Sequence, residues 1–207
     1  VISTHGARGY VSVVDLEKNK VTNTINTGIS PNYTIVTSDG KRAFVSNTGS
    51  NSLSEIDVAS WTITRSLESG PGPEHIVFSN DEARIFVTNP RAGKVSVVAV
   101  DTGKVEKSFE IGKAVHGLVI GDDGKTLFVS SKKVDKLVAI DSVTGNKQEL
   151  VLSPAPYHLN TITGTGKVYV SSRKKPVIWV IDQKDLKVTG TIDLPAGEGH
   201  QMVVIEE

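Results

Sequence analysis

Four short runs decide the fold: Phe44-Val-Ser-Asn47, Phe86-Val-Thr-Asn89, Phe128-Val-Ser-Ser131 and Tyr169-Val-Ser-Ser172. They follow one another at steps of 42, 42 and 41 residues, and Ile2-Ser-Thr-His5 lies a further 42 upstream. A fixed period of this length marks a repeat architecture, in which every residue can be compared with its internal equivalents. One unit can be walked outward from its run. Tyr33 to Thr37 is a short apolar stretch, and Ser38-Asp-Gly-Lys41 is a turn signal. Ala43 to Asn47 is rich in β-formers, and Thr48-Gly-Ser-Asn51 turns the chain again. Leu53 to Val58 alternates apolar and polar, as a half-buried strand does. After Ala59-Ser60, Trp61 to Leu67 supplies a fourth strand. No segment carries a helical period, and four strands per repeat, labelled A to D, describe a propeller blade.

The other units agree. Asn80-Asp-Glu82, Asp122-Asp-Gly124 and Thr163-Gly-Thr-Gly166 fill the A–B turn. Asp15, Asp57, Asp141 and Asp182 end strand C, with Ala99 at that place in the third unit. Their regular recurrence is read as turn chemistry: a carboxylate there accepts backbone N–H groups of the C–D turn.

The ends differ in phase. The chain opens on strand B (Val1 to Thr4), then C (Gly9 to Leu16) and D (Val21 to Asn26). Complete blades start near residues 31, 73, 114 and 156, and His200 to Ile205 reads as a lone strand A. The expectation is an all-β, five-bladed propeller of four-stranded antiparallel blades. Docking the N-terminal B–C–D strands on the C-terminal A strand would close it and remove the exposed sheet edges. Residues 1–207 then form a single domain, the alternative being a piece of a larger, seven-bladed propeller.

Composition narrows the function. Lys plus Arg and Asp plus Glu both number 23, and zero net charge argues against general nucleic-acid binding. With no cysteine, disulfides and thiolate metal sites are excluded. No apolar run is long enough to span a membrane as a helix. The chain begins at Val1 inside a strand-like run, so a leader is expected to have been removed.

The Phe-Val-Ser/Thr-Asn runs resemble the signature of the YVTN-repeat β-propellers. The stretch that precedes that signature is similar to Pro31-Asn-Tyr-Thr-Ile-Val-Thr-Ser-Asp-Gly40 and to Val115-His-Gly-Leu-Val-Ile-Gly-Asp-Asp-Gly124, and Val11 to Asp15 fits strand C of the family. The resemblance covers essentially the whole chain. It implies the propeller fold and a periplasmic, secreted or cell-surface setting. It leaves function open, because one fold hosts many activities.

Used as a ruler, the period aligns Asn32, Glu74, His116, His158 and His200 at the start of strand A. The alignment takes a one-residue deletion near Lys167, offset by one extra residue in the Leu194-to-Gly199 loop. In a closed five-fold array these side chains would converge at the mouth of a central channel. Three imidazoles, a carboxylate and an amide are a plausible ligand set for a divalent transition metal, Cu or Zn first and Fe or Mn next. Two other readings stand beside it: a polar cluster hydrogen-bonded to loop carbonyls, and a site for an anion or organic ligand. At the end of strand B the repeat reads His5, Asn47, Asn89, Ser131 and Ser172. These are read as caps of the following turn, with His5 a secondary ligand candidate. His75, next to Glu74, is expected on the opposite side of its strand and is not a first-choice ligand.

The B–C loops on the same face carry Arg8, Arg91, Lys132, Lys133, Arg173, Lys174 and Lys175, with Asp135 the one acid among them. Such a face favours an anionic small molecule or an acidic protein partner. Alternatively, the long basic side chains only solvate their loops. No Gly-x-Ser-x-Gly nucleophile turn and no helix for a His-Glu-x-x-His motif is present. The chain is therefore read first as a non-enzymatic metal-binding protein. The alternatives are a metal-dependent hydrolase or lyase with Glu74 as base, and an interaction scaffold with a structural polar cluster.

Overall fold

In the computed structural model the chain is described over residues 1–203, and these contain strands and turns but no helix. Nineteen strands form five antiparallel sheets, each a meander in which neighbours in sequence are neighbours in space. The first holds β1 (Ile2–His5), β2 (Tyr10–Asp15) and β3 (Lys20–Asn26). The second holds β4 (Pro31–Val36), β5 (Arg42–Asn47), β6 (Ser52–Asp57) and β7 (Thr62–Glu68). The third holds β8 (Ile76–Phe78), β9 (Arg84–Asn89), β10 (Lys94–Ala99) and β11 (Val105–Glu110). The fourth holds β12 (Val115–Ile120), β13 (Thr126–Ser131), β14 (Lys136–Asp141) and β15 (Lys147–Val151). The fifth holds β16 (Pro156–Thr161), β17 (Lys167–Ser172), β18 (Val177–Asp182) and β19 (Val188–Asp193). The five sheets are the five expected blades, the first with three strands among the described residues. Of the expected C-terminal strand, residues 200–203 are described and carry no strand, and 204–205 lie outside the described residues.

The chain divides into two compact units, Val1–Ser108 and Phe109–Glu207. In each, sheets stack face to face, which explains the signature runs. A strand covered on both faces needs apolar residues on both sides of its pleat. In the first unit, Phe44 packs with Leu53, Leu67, Ile76, Ile85 and Val98, while its neighbours Ala43 and Val45 pack on the other face with Val11, Val13 and Ile25. In the second unit, Phe128 meets Val168, Val170, Trp179 and Ile181 of the next sheet. Phe44 and Phe128 are fully buried, each worth roughly 2–3 kcal/mol of apolar transfer. The outermost strands β3, β7 and β11 are mostly exposed, with one inward apolar side chain each: Ile25, Leu67 and Phe109.

The recurrent aspartates do turn chemistry. Asp57 accepts the Ser60 N–H at 2.7 Å, Asp141 those of Val143 and Thr144, and Asp182 those of Lys184 and Asp185. These hydrogen bonds stabilise the charged form and hold the three carboxyls below their ordinary value, Asp182 at about 2 with the Lys167 ammonium its largest cause. Each C–D turn ends in a left-handed residue: Asn19, Trp61, Gly103, Gly145 and Leu186, with φ between 49° and 79°.

Candidate functional site

The third signature residue positions the start of strand A. Ser46, Thr88, Ser130 and Ser171 are fully buried. Their hydroxyls accept the N–H of Tyr33, His75, Gly117 and His158, at 3.0, 3.0, 2.9 and 3.2 Å. Three of them also donate to a carbonyl of the following repeat: Ser46 to Glu74 at 2.6 Å, Ser130 to Tyr157 at 2.5 Å, and Ser171 to His200 at 3.2 Å. Thr4, in the same position of the first sheet, donates to the Asn32 carbonyl at 3.0 Å. The hydroxyl is a latch between one strand A and the next.

Opposite this latch strand A carries a β-bulge. Pro31 pairs with Asn47 and Thr34 with Val45; Val115 pairs with Ser131 and Leu118 with Val129; Pro156 pairs with Ser172 and Leu159 with Val170. Two residues of strand A thus face one of strand B, and a bulge re-aims side chains that strict alternation would send to opposite faces. The bulge and the latch hydroxyl together define two slots. Asn32, Glu74, His116, Tyr157 and His200 occupy the first, and Tyr33, His75, Gly117 and His158 the second.

This corrects the sequence alignment at one point. His158 is not equivalent to His116; Tyr157 is. The missing residue lies before Pro156, not near Lys167. The C–D pairs β2–β3, β6–β7 and β18–β19 each contain a register shift, whereas β14–β15 pairs without one and is a residue shorter for it. His75 shares the slot of His158. It is buried, as expected for a histidine packed within or between blades, and lies 4.6 Å from the Tyr33 ring.

In the second unit the bulges of β12 and β16 bring an aromatic cluster together. The His116 and Tyr157 rings stack at 4.2 Å with 5° between their planes. His158 lies edge-on to both, 4.9 Å from His116 and 4.3 Å from Tyr157. His200 lies 4.7 Å from His158 and 5.3 Å from Tyr157. His116, Tyr157 and His158 are buried and His200 is exposed. Ligating nitrogens of His116 and His158 approach within 4.8 Å. Gly117 makes the approach feasible: a Cβ there would sit 2.4 Å from the Tyr157 carbonyl and 2.5 Å from Leu159.

Two cations border the cluster. The Lys132 ammonium lies 3.5 Å from His116 Nδ1 and 5.2 Å from the centre of the Tyr157 ring; the Arg173 guanidinium lies 5.0 Å from that ring. Burial first, then His116, His200, Lys132 and Arg173, push the His158 pKa down to about 3. Burial and these neighbours thus favour the neutral imidazole of His158.

The remaining candidates lie in the first unit. Asn32 is exposed and Glu74 half-buried. The His5 ring lies 4.5 Å from that of Tyr10, tilted by 35°, and its buried Nε2 has no hydrogen-bond partner among the described residues. Arg8 and Arg91 are exposed there, as are Lys133, Arg173, Lys174 and Lys175 in the second unit, with Lys132 half-buried. The fourth signature residue does more than cap the following turn. Asn47 accepts the Gly28 N–H, Asn89 donates to the Ser69 carbonyl, Ser131 to that of Lys113 and Ser172 to that of Pro154, so each ties the D–A connection to strand B. Sequence reasoning missed Tyr157; its signal was an aromatic residue adjoining a repeat-aligned histidine.

Four-stranded meander sheets at a 42-residue period, latched by a buried Ser or Thr hydroxyl, define a β-propeller protein built from YVTN-type blades. The family model described as YNCE-like beta-propeller matches residues 2–125, more than half of the chain, and the chain belongs to that family. Among solved structures it is similar to Kuenenia stuttgartiensis hydrazine synthase, at a TM-score of 0.79 and 20% identity over 89% of this chain. That likeness shows the fold, and the chain spans 65% of the length of that one, just under two thirds. No curated protein matches. No helix of the described residues is long and apolar enough to cross a membrane.

Proposed function

We propose that this chain is a non-enzymatic binding protein of the YNCE-like propeller family that holds a divalent transition metal, copper or zinc first, at His116, His158 and His200. One observation carries the reading: a buried imidazole kept neutral to about pH 3 stands between two others, at 4.9 and 4.7 Å. Imidazole nitrogens suit both metals, and a neutral ring needs no deprotonation before binding. Lys132 opposes a cation by charge, which favours metals that bind imidazole strongly over hard cations. Periplasmic or cell-surface placement accords with the absence of cysteine.

The test is metal content and thermal stability of untagged protein, alone and with Cu²⁺ or Zn²⁺. Ligand at 100 times its Kd stabilises the folded state by about 2.7 kcal/mol, so the melting temperature should rise by several degrees. The His116→Ala, His158→Ala, His200→Ala triple variant should lose the metal and the rise. Equal metal content in both proteins would end the reading.

A further inference from the structure

A second feature of the same unit carries its own inference. Beside the imidazole cluster, Lys132, Lys133, Asp135, Ala155, Arg173 and Lys174 line an open cleft of about 470 Å³. Four cations face one carboxylate across it. Asp135 is engaged by the connection between β15 and β16: its oxygens accept the Ala155 N–H at 2.8 Å and the Ser153 hydroxyl at 2.7 Å. Lys133, Arg173 and Lys174 form no ion pair among the described residues. Exposed like charges repel, and a loop pair that gathers four of them on one concave wall raises the local positive potential.

The backbone holds these cations in place. The Arg173 N–H donates to the Ala155 carbonyl at 3.0 Å. Ser172 accepts the N–H groups of Lys174 and Lys175 at 3.2 and 3.1 Å while its own hydroxyl donates to Pro154. Lys132 and Arg173 are further ordered over the face or edge of one ring, Tyr157. Side chains already ordered lose less entropy on binding a ligand.

We propose that this cleft binds a small organic dianion, whose two negative charges bridge Lys132 and Arg173. A guanidinium takes two oxygens of a carboxylate or phosphate side by side, and an ammonium takes a third as a point charge. The cleft volume lies within the range of small-molecule pockets, larger than a bare inorganic ion requires. The inference does not rest on the metal reading: histidine substitutions test that one, and cation substitutions test this one.

Titration calorimetry at low salt with succinate, phenyl phosphate and neutral succinamide is the test. At least one dianion should bind saturably and succinamide should not. The Lys132→Gln, Arg173→Gln double variant should bind at least tenfold more weakly. Lys175→Gln, an exposed neighbour outside the cleft, should change affinity less than twofold. Absence of saturable dianion binding would overturn the proposal, as would an undiminished affinity in the double variant. An equal loss in Lys175→Gln would also overturn it, because it would show attraction by a diffuse surface field. Circular dichroism of each variant separates lost binding from lost folding.

Discussion

Acid should destabilise this protein in part through His158. His158 has its pKa pushed from the ordinary 6.5 to about 3, chiefly by burial. Between those values the unfolded chain binds a proton that the folded state refuses. Stability from this group is therefore complete above pH 6.5 and is lost as the pH falls toward 3. Each pH unit inside the window is worth at most about 1.4 kcal/mol. The turn aspartates protonate lower, Asp182 at about 2, and comparison with a variant that lacks the His158 imidazole isolates its share between pH 6.5 and 4.5. Across that interval this group alone should remove roughly 2–3 kcal/mol. Urea unfolding at several pH values, with a chelator present, measures this. In His158→Gln the backbone N–H still reaches Ser171 but no proton is taken up, so that portion of the pH dependence should vanish. If wild type and variant lose stability in parallel between pH 6.5 and 4.5, the reasoning is refuted.

Two further outcomes follow from the latch and the bulge. Ser130→Ala leaves the Gly117 N–H and the Tyr157 carbonyl without their shared buried partner and should lower stability by about 1–3 kcal/mol in denaturant titrations. Ser130→Thr should be far milder, because Thr88 fills the equivalent place in the third sheet. Gly117→Ala places a methyl 2.4 Å from the Tyr157 carbonyl. It should cost about 1–3 kcal/mol and separate β12 from β16, read as loss of the His116–Tyr157 ring contact in NMR spectra.

The order and character of the strands in the five sheets were legible because a strand buried on both faces needs continuous apolar residues, and the turns between strands need Asp, Asn and Gly. The site was legible only in part. The rings of His116 and His200 lie 4.9 and 4.7 Å from that of His158, reached by a different route from the one residue counting gives. Residue counting registers a missing residue only at the next recognisable run, Tyr169. The structure puts the loss upstream, in the unshifted β14–β15 pair. A bulge is equally invisible to periodicity, since it changes which way a side chain points without changing the spacing of the signature. For that reason nothing flagged Tyr157.

The latch also separates informative repetition from uninformative repetition. The turn aspartates recur because their oxygens hold backbone N–H groups, so any blade of this design requires them and their recurrence says nothing of ligands. At the two slots the structural duty falls on the main chain: the latch hydroxyl takes the slot residue's carbonyl or N–H and not its side chain. The fold accepts Asn, Glu, His or Tyr at the first slot and Tyr, His or Gly at the second. Side chains that the fold does not choose are available for function. Three of the protein's five histidines, together with the tyrosine that holds Lys132 and Arg173 over its ring, collect at such slots within one unit. Blade stability alone gives no reason for that choice, and a bound ligand does.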